Sequence, residues 1–148
     1  LNTIVTMQTG DPLEIRGANN RTGINFPDVL RDPTLSGDQR GILKWFDTDA
    51  FRNPADWTVG NVPRSLPNTR GPGMFSMNLS LFKNFRVSER MRTEFRAEAF
   101  NALNHTNLLN PNGSFSPNTQ GVSTNALFGR ITTASPARRL QFGLRLSW

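Results

Sequence analysis

The 148 residues contain no cysteine, which excludes disulfides, thiolate metal sites and thiol nucleophiles. Tyrosine is also absent, and histidine occurs once, at His105. No apolar run approaches the roughly 18 residues of a membrane helix. No stretch has the charged start, apolar run and small-residue cleavage site of a signal peptide. The missing helix does not make the chain soluble, because membrane strands alternate apolar and polar residues and average out to polar. Acids are scarce in the second half. Residues 10–72 balance eight acids against eight bases, whereas 73–148 set nine bases against Glu89, Glu94 and Glu98 and so hold the excess charge of +6. The chain starts at Leu1, not Met, and is expected to be cut from a longer one. No Ser–His–Asp set, phosphate loop or acid pair stands out, so neither an enzyme nor a bound cofactor is expected.

What the sequence does have is period-2 alternation, which sends successive side chains to opposite faces of a sheet. The last segment places Leu140, Phe142, Leu144, Leu146 and Trp148 on one face and Arg139, Gln141, Gly143, Arg145 and Ser147 on the other. Residues 90–101 set Met91, Thr93, Phe95, Ala97 and Ala99 against Arg90, Arg92, Glu94, Arg96 and Glu98. A helix would leave only the thin stripe Met91, Phe95 and Ala99, while a strand sorts every charge to one face; the strand is the better reading. Residues 75–85 oppose Phe75, Met77, Leu79, Leu81 and Phe85 to Ser76, Asn78, Ser80 and Asn84, with Phe82 and Lys83 breaking the pattern. Residues 1–9 oppose Leu1, Val5 and Met7 to Asn2, Thr6 and Gln8, with Ile4 on the polar side.

The expected strands are therefore about 1–9, 74–85, 89–103 and 138–148. The second and third are joined tightly through Arg86-Val87-Ser88-Glu89. The other connections, about 10–73 and 105–137, are long and rich in Pro, Gly, Asn and Asp, which is uncommon in a compact soluble domain. Outer-membrane barrels pair short periplasmic turns with long extracellular loops. If Trp148 ends at the periplasm, antiparallel order puts the short turn inside and both long loops outside. Strand lengths fit as well, since a spanning strand needs about 9–11 residues. Every backbone polar group in a bilayer must be paired, so such strands span only in a closed barrel. Four strands do not close around a lumen, and further wall is expected upstream of Leu1. The fold class expected is all-β, the antiparallel C-terminal strands of a large transmembrane β-barrel with long extracellular loops.

The ending Leu140-Gln-Phe-Gly-Leu-Arg-Leu-Ser-Trp148 resembles the C-terminal signal of outer-membrane barrels, a terminal aromatic with apolar residues at every second position before it. Leu140, Phe142, Leu144, Leu146 and Trp148 would carry it, and the resemblance implies that the barrel-assembly machinery reads it. Arg70-Gly71-Pro72-Gly73, Asn78-Leu-Ser-Leu-Phe-Lys-Asn-Phe85, Phe95-Arg-Ala-Glu-Ala-Phe-Asn-Ala-Leu-Asn-His105, Phe128-Gly-Arg-Ile131 and Trp45-Phe-Asp-Thr-Asp-Ala-Phe51 resemble, in order and spacing, the last part of TonB-dependent receptors of the Oar-like group. That group often carries a carboxypeptidase-regulatory-like domain. The resemblance covers most of the chain. It implies a barrel of about 22 strands, an N-terminal plug, and energy coupling to the TonB complex through N-terminal parts missing here. It also implies a place in the bacterial cell outer membrane and outer-membrane lipid as a partner.

The charged row Arg90, Arg92, Glu94, Arg96, Glu98, Arg139 and Arg145 is expected to face the lumen, because Arg or Lys on a lipid face costs about 2–4 kcal/mol at mid-membrane. It serves either as a hydrated ion-pair network or as a guide for an anionic substrate. In the first long loop Trp45, Phe46, Phe51 and Trp57 stand among Asp47, Asp49 and Asp56; they are a possible ligand-capture surface, or they pack on the loop itself. Asp28, Asp32, Asp38, Asp47 and Asp49 lack the EF-hand ligand pattern, and no metal site is expected. His105 reads as part of a turn. Asn20-Arg-Thr22 and Asn104-His-Thr106 are chance matches to the glycosylation triplet.

The leading expectation is thus an outer-membrane active-transport receptor for an unknown small or macromolecular ligand. A passive porin would carry the same terminal signal. A soluble basic β-sheet domain binding nucleic acid is the third alternative; such sheets place stacking aromatics among their basic residues. Here aromatics and arginines mostly occupy opposite faces, so no nucleic-acid partner is expected.

Overall fold

The computed structural model describes all residues, 1–148. Its strands are β1 (Asn2–Gln8), β2 (Asp28–Val29), β3 (Phe51–Arg52), β4 (Met74–Arg86), β5 (Arg92–Phe100) and β6 (Arg139–Ser147), with one 3-10 turn at Thr48–Ala50. The chain divides into two compact units.

The first unit comprises Leu1–Thr9, Gly73–Asn107 and Ala134–Trp148. It is a four-stranded antiparallel sheet in the order β1-β4-β5-β6. The register brings the apolar alternations into common rows. Leu79, Ala99 and Leu140 form one row; Leu81, Ala97 and Phe142 form the next. On the opposite face Ser80 pairs with Glu98 and Glu98 with Gln141, and Asn84 pairs with Glu94 and Glu94 with Arg145. A slip of one residue would exchange the faces, so this register is the one that keeps every carboxylate off the apolar side. Ile4 pairs with Asn78 and Val5 with Met77, which puts Ile4 on the polar face, as its place in the alternation indicates.

Several expected boundaries move. The third strand begins at Arg92, not 89, and ends at Phe100. The chain reverses over Val87–Met91, where the Val87 and Ser88 N–H groups donate to the Met91 carbonyl at 3.0 and 3.2 Å. Arg90 therefore belongs to the turn and not to the charged row. The second strand runs one residue further than expected, to Arg86. Trp148 follows the end of β6.

Beyond the end of β5, the flank of β4 is finished by side chains and a turn. The Ala102 N–H donates to the Met77 carbonyl at 2.7 Å, and the Asn101 N–H donates to Asn78 Oδ1 at 3.0 Å. The Asn107 amide then bonds both polar groups of Phe75: Oδ1 accepts from the Phe75 N–H and Nδ2 donates to its carbonyl, each at 2.8 Å. Asn101 and Asn104 adopt positive φ, which asparagine tolerates better than most residues.

This sheet is a single layer, with every residue of β1 and β6 exposed. Leu140, Phe142 and Leu144 are 61 %, 68 % and 66 % exposed. A soluble sheet covers such a face with a second layer, and none of the strands does so here.

The second unit comprises Gly10–Pro72 and Leu108–Thr133. These segments were expected as loops, and regular structure in them is indeed sparse: the β2–β3 ribbon, the 3-10 turn and isolated bridges such as Pro12 to Arg70. They nevertheless share a hydrophobic core of Leu13, Ile15, Phe46, Ala50, Phe51, Val62, Leu66, Phe115 and Phe128. Phe128 meets Phe46, Phe51 and Phe115 edge-to-face at 5.2, 5.6 and 5.7 Å, a favoured arrangement for ring quadrupoles. Side-chain amides replace sheet ladders. Asn53 exchanges hydrogen bonds with the Asn19 backbone, and Asn61 Oδ1 accepts from the Val29 N–H at 2.7 Å. Gly17 has φ +114, and a Cβ there would lie 1.9 Å from the Phe115 carbonyl oxygen, so a side chain is excluded.

Candidate functional site

On the polar face of the sheet, Arg92, Glu94, Arg96, Glu98, Arg139 and Arg145 share one side of β5 and β6. Glu94 faces Arg145 and also bonds Arg96 within its own strand, Nη2 to Oε1 at 3.3 Å. Arg96 faces Gly143, whose lack of a side chain leaves room beside it. At the Val87–Met91 end the charges are less balanced. Arg86 lies directly opposite Arg92, a like-charge pairing that disfavours the sheet. Arg86, Arg92 and Arg145, with Asn84, Glu94 and Ser147, line an open cavity of about 610 Å³. Arg86 was absent from the expected row because its strand was expected to stop one residue earlier.

The break in alternation at Phe82 and Lys83 now has a definite consequence. Phe82 pairs with Arg96 on the polar face, where the Arg96 guanidinium lies 4.8 Å from the ring centroid. Arg139 covers Phe100 similarly at 5.8 Å. Two aromatic rings are thus interleaved with the arginines, more than the alternation alone implies. Lys83 pairs with Phe95 on the apolar face. The sequence shows that the pattern fails at these two positions; only the register shows which face each side chain takes.

The candidate capture residues separate. Phe46 and Phe51 are fully buried in the core of the second unit and present no surface to a ligand. Their aromatic character serves packing, so of the two alternatives this pair takes the one in which the loop packs on itself. Trp45 is partly buried, donates its indole N–H to the Arg70 carbonyl at 2.8 Å, and has the Arg40 guanidinium 5.2 Å from its ring. Trp57 alone is largely free, 73 % exposed. Its φ is +65°, unusual for a bulky side chain. Buried Asn20 holds it so: the Trp57 N–H donates to the Asn20 carbonyl and Asn20 Nδ2 donates to the Thr58 carbonyl, both at 2.7 Å. Arg21 and Asp56 form an ion pair beside it at 3.0 Å. Nothing in the linear sequence marks Asn20 for this task.

The aspartates do not converge. Asp47 accepts from Arg31 at 2.6 Å and caps the 3-10 turn through the Asp49 N–H. Partial burial raises its pKa, but the Arg31 hydrogen bond and charge outweigh that and hold it below the ordinary value. Asp32 is lowered by hydrogen bonds from Thr34 and Asn68, and Asp38 by one from Ser36. Glu14 is lowered by its contact with Arg16. His105 stacks edge-on against Phe75, and its Nδ1 lies 3.1 Å from Asn107 Oδ1. No group of three or more His, Asp or Glu is arranged to hold a metal ion.

The apolar terminal residues share one face of β6, with Trp148 beyond it and 93 % exposed. Among known proteins, residues 1–141 match the model of a family described as an outer membrane beta barrel domain. The match ends within β6, before most of the terminal segment. No curated protein matches the chain, and no solved structure does.

Proposed function

Because the chain belongs to the outer membrane beta barrel domain family, and so forms barrel wall in the bacterial outer membrane, we propose that this wall is part of a receptor for TonB-coupled uptake of a ligand. The apolar rows of the sheet then meet lipid, and the arginine-rich face lines the lumen. Four strands are too few to close a barrel around a lumen, so further strands complete it.

The observation that carries the receptor reading is the second unit. Its two segments are the long connections of the chain, Gly10–Pro72 between β1 and β4 and Leu108–Thr133 between β5 and β6. A passive pore needs no separately packed unit in the connections between its strands. Here 89 residues build one with an aromatic core, held-out Trp57 and a flanking ion pair. The ordered resemblance to Oar-like receptors supports the same reading. Trp57 offers a ligand a planar apolar surface with polar groups of both signs beside it. The lumen arginines then favour passage of anionic groups. The alternating residues that end in Trp148 serve as the recognition signal for the barrel-assembly machinery. No catalytic constellation supports an enzymatic role.

The test is interaction with TonB by the full-length protein. Site-directed cross-linking in cells should trap a complex with TonB, and loss of the proton gradient should abolish ligand uptake without removing the barrel from the membrane. A barrel that never cross-links to TonB and conducts ions steadily across a planar bilayer would instead be a passive porin.

A further inference from the structure

Lys83 is a charged residue on a face otherwise built for hydrocarbon. Its row partners are Phe95 on β5 and, through Phe95, Leu144 on β6. The sheet's carboxylates cannot neutralise it, because Glu94 and Glu98 occupy the other face. The side chain has a direction: Nζ lies 5.9 Å from the ring centroid of Phe85, the next apolar-face residue toward the Val87–Met91 turn. The stem therefore lies along the sheet and carries the ammonium away from the middle of the apolar band, as amphipathic side chains do at an interface.

The position fits that behaviour. Lys83 is three residues from Arg86, the end of β4. At about 3.3 Å per residue and a tilt of about 40° this is about 8 Å along the membrane normal. Phe85, Trp148 and Thr93 are nearer still to that rim, and large aromatic rings favour the headgroup level. A cation on a lipid-facing surface with no acid in reach requires a counter-charge from the bilayer, and the phosphate is the group that supplies it.

We propose that Lys83 and Phe85 form a binding site for the headgroup phosphate of a phospholipid, and that this site fixes the level at which the sheet leaves the hydrocarbon. The short turn assigns that level to the periplasmic leaflet. The proposal rests on the reading of the apolar face as lipid-facing, but it can fail by itself.

The experiment is equilibrium urea unfolding of the full-length barrel in phospholipid vesicles and in maltoside micelles, which lack phosphate. Lys83→Gln should lower the folded-to-unfolded ratio about fivefold in vesicles, the size of one contact between a basic residue and lipid, with little change in micelles. Lys83→Arg should retain the wild-type value. No loss in vesicles, or equal losses in both media, would overturn the proposal; equal losses would mean that Lys83 acts by packing. Nitroxide labels at positions 81 and 83 separate the two failures. Contact with oxygen at 81 and with a water-soluble nickel chelate at 83 supports the site. A label at 83 as deep as that at 81 overturns it while leaving the face assignment intact. Water contact at both positions overturns the face assignment itself.

Discussion

Asn107 takes the place of a strand for one residue of β4. Its amide presents an acceptor and a donor in the geometry of a peptide group, and Phe75 uses both. The side chain is almost wholly buried, so water cannot readily replace it. Asn107→Leu leaves two backbone groups without partners, at about 1–3 kcal/mol for a buried unsatisfied group. Asn107→Asp keeps the acceptor for the Phe75 N–H but loses the donor to its carbonyl. Amide hydrogen exchange in the assembled protein should therefore show Phe75 accelerated most in Asn107→Leu and less in Asn107→Asp. Unchanged protection in Asn107→Leu would mean that Phe75 does not depend on this bond. The sequence gives no notice of such a role. Asn107 lies amid several other asparagines, and what selects it is a partner 32 residues away.

At the scale of the strand, alternation carries most of the information. The faces of β4, β5 and β6 were readable because each apolar row has a polar row behind it, and pairing then aligned like with like. Strand ends were less readable. Arg90 continues the alternation in sequence, but the reversal over Val87–Met91 removes it from the strand. Two substitutions in β6 test the faces. Leu144→Arg places a charge on the apolar face and, if that face meets lipid, should cost up to about 2–4 kcal/mol near mid-membrane and less toward the rim. Arg145→Leu removes one of several charges on the arginine-rich face and should be milder if that face lines the lumen. Yield of heat-modifiable barrel reads both, and the reverse order would mean the faces are exchanged. The terminal signal is tested in the same assay. Removing Trp148 should reduce assembly far more than Ser147→Ala, and equal yields would dismiss the signal.

For the molecule as a whole, the two units draw stability from different sources. The sheet has no core of its own, whereas the second unit has a core and a set of carboxylates held below their ordinary values of 3.8 for Asp and 4.5 for Glu. A carboxylate depressed in the folded state contributes stability above its unfolded pKa and loses it as pH falls through the folded one. Thermal melting of the second unit, followed by Trp45 emission in the assembled protein, should hold steady from neutrality to about pH 5. It should then move to lower temperature on further acidification. A melting point unchanged down to pH 2 would show that Glu14, Asp32, Asp38 and Asp47 do not support the fold. This core was the part least legible in advance. Its residues come from two segments separated by the β4–β5 hairpin, with almost no periodicity to announce burial. Aromatic residues in a Pro- and Gly-rich stretch read equally well as exposed or packed. Their burial is decided by contacts such as Phe46 with Phe128, 82 positions apart in the chain.

The hold that Asn20 exerts on Trp57 also bears on how such a protein can change over generations. Backbone groups and one buried amide fix where the exposed ring is presented, and the ring itself contributes little to the core. The side chains at position 57 and at neighbouring Arg21 and Asp56 lie outside the core, and the left-handed backbone at Arg21 and Trp57 limits which residues can replace them. A lineage that kept the buried scaffold could vary the presented side chains within that limit without rebuilding the core.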